Sequence, residues 1–151
     1  ILAPGCDMPY NVPVENCIGV AQAAIETDVV REMVKNYQAE EIDTSNVVIP
    51  DYASLTKPLV EVFTLDSAQC AACGYMMGAA NQAKETFGDK IDMVEYKFIY
   101  KENVARCVKM GVPNLPSMYI NGELKYRSII PTKAELEAAI NEAIAVCDSR
   151  K

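Results

Sequence analysis

Histidine is absent from this 151-residue chain, and its absence removes several classes of functional site. A chain without histidine has no Ser-His or Cys-His nucleophilic centre and no histidine-ligated metal. Long apolar runs are missing too, since none approaches the ~20 residues that a membrane-spanning helix needs. No basic segment followed by a long apolar one marks a signal peptide. We therefore expect no membrane association.

The charge balance excludes a second class of partner. The net charge is −7 and no long basic run is present, so the chain would repel a nucleic-acid backbone. Half of the residues are hydrophobic and 23% are charged, which is the composition of a globular protein. Six cysteines are too few and too unevenly spaced for a disulfide-stapled scaffold. We therefore expect a cytoplasmic protein whose cysteines are its main reactive groups.

The chain divides into three predicted segments. Residues 1–40 form a helical segment, because apolar residues recur there at helical spacing and Thr27-Asp28 signals a second helix start. Residues 41–57 are polar and end before Pro58, which indicates a linker. Residues 58–151 form the main domain. The chain does not begin with methionine, and we expect it to be a fragment of a longer protein.

The main domain alternates strands and helices in the order β-α-β-α-β-β-α. Gly88 and Gly111 end two of the helices as left-handed caps. Asn121-Gly122 is a strong hairpin signal, and Thr132 begins the last helix in a capping box with Glu135. The predicted strands are 59–65, 91–100, 118–120 and 123–126, and the predicted helices are 72–87, 102–110 and one from 132 onward.

Cys70 and Cys73 stand between the first of these strands and its helix. Two intervening residues at a helix start place the sulfurs on one face, where a disulfide can close. The unsatisfied N–H groups and the helix dipole there stabilise a thiolate. Cys70, nearer the helix end, is the predicted attacking sulfur, and Cys73 is the predicted resolving one. A metal-binding pair and an inert pair are the alternatives.

The order of these motifs resembles the thioredoxin/glutaredoxin superfamily over residues 58–147. The resemblance rests on the strand 60–64, the Cys70-x-x-Cys73 pair and the stretch 111–117 before the hairpin. It implies an α/β, thioredoxin-like fold with a four-stranded mixed sheet, extended here by N-terminal helices. It also implies a cis peptide between Leu115 and Pro116, with both residues binding substrate beside Cys70.

Two departures from the superfamily pattern leave part of the chemistry open. Ala71-Ala72 replaces the Gly-Pro of thioredoxin, and no tryptophan precedes the pair. The buried acid that assists the resolving cysteine in thioredoxin has no equivalent on the matching strand, which offers Phe63 and Thr64. The redox potential and the proton acceptor therefore stay open.

Residues 1–26 resemble a different family, the uroporphyrinogen decarboxylase-like proteins and their cobamide-dependent methyltransferase branch. The resemblance rests on the stretch 1–9 and on Val12-Pro13, where that family has Thr-Pro. It implies that Cys6 would be a zinc ligand in a longer parent protein whose other ligands lie upstream. We expect no zinc in the fragment, because zinc sites need three or four protein ligands.

Three functions follow as hypotheses. The first is a thiol–disulfide oxidoreductase with no cofactor besides its redox-active disulfide, which acts on a protein or small-molecule thiol or disulfide. It would be the C-terminal domain of a corrinoid methyltransferase-like protein and would serve that protein's own methyltransferase domain. The second is a metal or metalloid thiolate carrier, and the third is a non-catalytic docking module.

Three further cysteines are predicted to be small buried hydrophobic residues, namely Cys17, Cys107 and Cys147.

Overall fold

The computed structural model describes residues 12–38 and 40–150. The chain forms two compact units, Ile1–Glu41 and Ile42–Lys151. We call the second unit the sheet domain. Within the described residues no helix is both long enough and apolar enough to cross a membrane.

The first unit contains two short helices, α1 (Val14–Ile25) and α2 (Thr27–Val34). They are separated at Glu26, whose backbone (φ −113°, ψ 44°) leaves the helical region, so the predicted second start at Thr27 is confirmed. Neither helix contains a buried residue. Cys17 is exposed, and the prediction that it is a buried hydrophobic residue was wrong, because no residue among 12–38 covers its face of α1.

The sheet domain contains a four-stranded mixed sheet in the order β2-β1-β3-β4. The strands are β1 (Leu59–Thr64), β2 (Asp92–Lys97), β3 (Ser117–Ile120) and β4 (Glu123–Arg127). β1 pairs in parallel with β2 and antiparallel with β3, and β3 pairs antiparallel with β4. The predicted fold class, a thioredoxin-like α/β arrangement, is confirmed.

Three helices flank this sheet: α3 (Ala71–Phe87), α4 (Lys101–Met110) and α5 (Lys133–Asp148). Gly111 caps α4 in the left-handed conformation. The capping box of Thr132 and Glu135 at the start of α5 is formed in both directions. These ends agree with the local signals because caps satisfy backbone groups that no other part of the helix can reach.

β2 is shorter than predicted and ends at Lys97. Its partner β1 ends at Thr64, which lies opposite Lys97, and the chain then leaves the sheet. The Phe98 N–H still donates to the Thr64 carbonyl oxygen at 2.8 Å, but the Tyr100 N–H donates to the Lys97 carbonyl oxygen at 3.2 Å, within a turn. The apolar residues 98–100 therefore read as strand in the sequence but have no strand beside them.

The central strand β1 is covered on both faces. Val60 and Val62 lie in a core shared with α3 and α5, whose fully buried members include Met76 and Ile140. On the opposite face, Phe63 packs with residues of β3 and α4. Alternate side chains of a strand point to opposite faces, so one strand contributes to both cores.

Residues 42–57 of the predicted linker 41–57 belong to the sheet domain and are tied to it by hydrogen bonds. The Tyr52 hydroxyl donates to Glu61 Oε2 at 2.7 Å. Arg106 pairs with the other oxygen of Glu61 at 2.5 Å and donates to the Val48 carbonyl oxygen at 2.9 Å. Glu61 is fully buried, and a buried carboxylate needs such partners. The segment therefore satisfies polar groups of β1 and α4.

Candidate active site

The two cysteines lie where β1 gives way to α3. Cys70 is the N-cap residue of α3, with an extended backbone (φ −113°, ψ 117°). Its carbonyl oxygen accepts the first helical hydrogen bond from the Gly74 N–H at 2.8 Å, and Cys73 lies in the first turn. The spacing of two residues therefore brings both thiols to the start of one helix, as predicted.

Cys70 and Cys73 are free thiols, and Cys70 lies near enough to raise the pKa of Cys73. Cys70 is 8% exposed and Cys73 is 1% exposed, so Cys70 is the more accessible of two buried sulfurs. The Leu65 N–H donates to Cys73 Sγ at 3.3 Å. Cys70 is therefore the sulfur that a substrate reaches first.

The protonation of Cys73 follows from this burial. Desolvation, and then the hydrogen bond to Cys70, raise the pKa of the Cys73 thiol to about 11. The backbone groups of Leu65 and Asp66 lower this pKa, and the Leu65 N–H does so by donating to the sulfur. Cys73 is therefore a thiol at neutral pH, and the backbone around it stabilises the thiolate that it must become in order to react.

The loop that supplies these backbone groups is organised around one aspartate, and we call residues 64–69 the Asp66 turn. The Asp66 carbonyl oxygen accepts from the Cys70 N–H at 2.9 Å. Its carboxylate accepts from the Ala68 N–H at 3.1 Å and pairs with Lys97 of β2 at 2.8 Å. The Lys97 ammonium is the main reason that the pKa of the Asp66 carboxyl lies below its usual value, so the pair is ionised at neutral pH.

A second side chain of β2 holds the same turn. Glu95 Oε1 accepts from the Thr64 hydroxyl at 2.6 Å and from the Ser67 N–H at 3.3 Å. Sequence reasoning missed both Glu95 and Lys97. The available signal was their spacing: two residues apart in a strand, they lie on the same face of the sheet.

Leu115 and Pro116 are joined by a cis peptide bond, as predicted. They directly precede β3, where Ser117 lies opposite Phe63, near the end of β1 that leads to the cysteines. The Pro116 carbonyl oxygen accepts from the Ser128 N–H at 2.9 Å, which fixes this segment to the end of β4. The register thus places Leu115 and Pro116 at the end of the sheet from which β1 leads to Cys70.

Two further cysteines of the sheet domain belong to other helices, Cys107 to α4 and Cys147 to α5. Cys107 and Cys147 are buried, as predicted, and burial raises the pKa of the Cys107 thiol to about 11. The predicted zinc ligand Cys6 lies outside the described residues. Within residues 12–38 and 40–150, no three Cys, His, Asp or Glu side chains gather in a group that could hold a metal ion.

Comparison with solved structures finds likenesses of low sequence identity. Oxidised mitochondrial thioredoxin 3 from Saccharomyces cerevisiae is 17% identical, with 60% of this chain and 82% of that chain covered and a TM-score of 0.45. Thioredoxin-2, described as a component of the malaria parasite protein secretion machinery, is 18% identical, with 71% and 99% covered and a TM-score of 0.47. No family model matches the chain.

Two curated relatives are more similar in sequence, and both are described as probable thioredoxins. The one from Methanothermobacter thermautotrophicus is 32% identical over 83 residues, which are 55% of this chain and 92% of the relative. The one from Methanothermobacter marburgensis is 32% identical over 85 residues, or 56% and 94%. Since the match covers nearly the whole length of both relatives, the chain belongs to the thioredoxin family.

Proposed function

We propose that the sheet domain is a thiol–disulfide oxidoreductase in which Cys70 and Cys73 alternate between a dithiol and a disulfide. The observation that carries the proposal is the placement of both cysteines at the start of α3, with Cys70 at the N-cap and Cys73 in the first turn. Two cysteines separated by two residues at a helix start lie one turn apart, where a disulfide can close. Membership of the thioredoxin family supports the same chemistry.

The reaction begins at Cys70, the more accessible sulfur. Its thiolate attacks one sulfur of a substrate disulfide, forms a mixed disulfide and releases the first substrate thiolate, which takes up a proton. Cys73 then loses its proton and attacks Cys70 Sγ. The Cys70–Cys73 bond forms, the mixed disulfide breaks and the second substrate thiolate leaves. The substrate gains two electrons and the cysteine pair loses two.

Leu115 and Pro116 have the predicted role of substrate binding. Their position supports it, because they directly precede β3 at the end of the sheet where β1 leads to Cys70. We therefore propose that the substrate is a protein or small-molecule disulfide bound there. No cofactor enters these steps besides the cysteine pair itself.

The wider setting of the domain rests on sequence arguments. We propose a reducing cytosol, where the pair would be restored to its dithiol form, and a longer parent protein with a corrinoid methyltransferase-like domain as one partner. In that parent, Cys6→Ala should lower the zinc content and methyl transfer but leave the activity of the cysteine pair unchanged. A parent without zinc would contradict this setting.

Insulin reduction in the presence of dithiothreitol tests the proposed activity. We expect Cys70→Ser to abolish turnover, and Cys73→Ser, reduced and then freed of dithiothreitol, to trap a mixed disulfide with the substrate. Cys107→Ser, at a buried cysteine outside the site, is the matched control and should keep turnover. Full activity in a Cys73→Ala variant would contradict the dithiol mechanism.

The same variants separate the two other hypotheses. A metal or metalloid carrier would bind zinc stoichiometrically through Cys70 and Cys73 and would lose it in either serine variant, without reducing insulin. A docking module would neither turn over nor bind the metal.

A further inference from the structure

β2 places two charged side chains, Glu95 and Lys97, against the loop that leads to the cysteines. Lys97 pairs with Asp66 at 2.8 Å, and this pair is largely shielded from solvent, with side chains that are 27% and 7% exposed. Glu95 accepts hydrogen bonds from residues on both sides of Asp66. The Asp66 turn is therefore fixed from β2 at Thr64, Asp66 and Ser67.

The Asp66 turn is also in direct contact with Cys73. The Leu65 N–H donates to Cys73 Sγ at 3.3 Å, and the backbone of Asp66 also lowers the pKa of that thiol. The turn approaches α3 closely on this side, since a Cβ atom on Gly74 would lie 3.2 Å from the Ser67 carbonyl oxygen. A small displacement of the turn would consequently remove the N–H donor from the sulfur.

We propose that Glu95 and Lys97 are positioning residues for thiol–disulfide exchange, which act through the Asp66 turn. They keep its N–H donor against Cys73 while that sulfur is a thiolate and attacks the mixed disulfide. A buried thiolate is stabilised by such a donor far more than a buried thiol is, because a hydrogen bond to a charged acceptor is about twice as strong. Removing the support should slow resolution and leave the first attack by Cys70 unchanged. This inference rests on the proposed function.

The contacts of Glu95 separate positioning from a role for its charge. Both of its hydrogen bonds end on one oxygen, Oε1, and the amide oxygen of glutamine can accept both. Glu95→Gln therefore keeps the support, whereas Glu95→Ala removes it. Lys97→Met removes the ion pair with Asp66 and tests whether Lys97 also positions the turn. Asp92→Ala is the matched control. It removes another carboxylate of β2, one that forms an exposed ion pair with Lys57.

The experiment follows the reduced full chain with one equivalent of the chromogenic disulfide DTNB, in a Cys6→Ser/Cys17→Ser background. The attack of Cys70 releases one coloured thiolate, in a phase that depends on concentration. The attack of Cys73 releases the second, in a phase that does not. The pH profile of the second phase reports ionisation of Cys73, which a loss of global stability alone would not shift. Urea unfolding of each variant checks that it is folded.

We expect the second phase to be about tenfold slower in Glu95→Ala and Lys97→Met, the change that follows from the loss of about one hydrogen bond to a charged group. Its pH profile should move to higher pH in both. Glu95→Gln and Asp92→Ala should stay within about twofold of the background.

Three results would overturn the inference. One is a second phase unchanged in both Glu95→Ala and Lys97→Met. Another is a Glu95→Gln variant as slow as Glu95→Ala, which would assign the effect to charge. If Glu95→Ala fails to fold, an unchanged second phase in Lys97→Met, whose side chain is partly exposed, would decide against it. A background protein that shows no second release at all would instead contradict the proposed function.

Discussion

The first unit and the sheet domain both have apolar residues at helical spacing, but the two units bury these residues to different extents. Ile18 and Ile25 of α1 are 53% and 82% exposed, whereas Leu136 and Ile140 of α5 are 1% and 0% exposed. Both helices present apolar residues at helical intervals, yet only α5 packs on a sheet within its own unit. Apolar periodicity thus predicts a helix in both regions but burial only where a complementary surface is present. Stability effects should therefore concentrate in the sheet domain.

The largest expected effect concerns where the sheet domain begins. A chain that starts at Ile42 should keep its stability, whereas one that starts at Pro58 should lose on the order of 5 kcal/mol or more and unfold, since domains are only marginally stable. The shorter chain lacks Tyr52 and Val48, which serve the buried Glu61–Arg106 pair. Urea denaturation of both truncations checks this, and equal stabilities would show that residues 42–57 are only a linker.

The two regions also contain a buried and an exposed ion pair. Arg106→Ala leaves the fully buried Glu61 without its cation and should cost about 3–5 kcal/mol. Arg31→Ala removes the pair with Asp28, whose side chains are 70% and 94% exposed, and should cost less than about 1 kcal/mol. Denaturant unfolding of both variants measures the difference. Similar losses would mean that burial does not distinguish the pairs.

Glycine substitutions should act in opposite directions in the two regions. Gly122 has φ +78°, and a Cβ there would overlap the Tyr52 ring, so Gly122→Ala should destabilise the sheet domain by about 1–3 kcal/mol. Gly19 lies inside α1 with nothing within 4 Å of an added Cβ. Gly19→Ala should therefore stabilise α1 by up to about 1 kcal/mol. Thermal unfolding of Gly122→Ala and the helicity of Gly19→Ala show whether each substitution destabilises or stabilises its unit.

The smallest effect is one of reactivity rather than stability. Cys17 is exposed and Cys107 is buried, and burial raises the pKa of Cys107 to about 11. At pH 7 iodoacetamide should label Cys17 readily and leave Cys107 unmodified, since the thiolate is the nucleophile. Labelling of Cys107 should begin only as the pH rises toward its pKa. Mass mapping reads both sites, and rapid labelling of Cys107 at pH 7 would contradict the buried position.

Features fixed by local chemistry could be predicted from the sequence. The glycine cap at Gly111, the capping box of Thr132 and Glu135 and the cysteine pair at a helix start all depend on a few neighbouring residues. The cis bond before Pro116 came from the family resemblance, since nothing in its immediate sequence requires it.

Features that depend on distant contacts could not be predicted in this way. Tyr52 meets Glu61 only after β1 is in place, so residues 42–57 read as a linker. Glu95 and Lys97 meet the Asp66 turn only because β2 pairs in parallel with β1, in a register that no local pattern specifies. Cys17 read as buried because helical spacing does not reveal whether a partner surface exists.

The central claim is that Cys70 and Cys73 form a reversible disulfide, and a redox titration tests it most directly. The full chain is equilibrated in buffers of graded dithiothreitol ratio and quenched with acid, and its free thiols are then alkylated and mapped by mass spectrometry. The account predicts that Cys70 and Cys73 lose their thiols together in one two-electron transition, while Cys107 and Cys147 remain reduced. Oxidation that spares the pair, or links either cysteine to another residue, would contradict it.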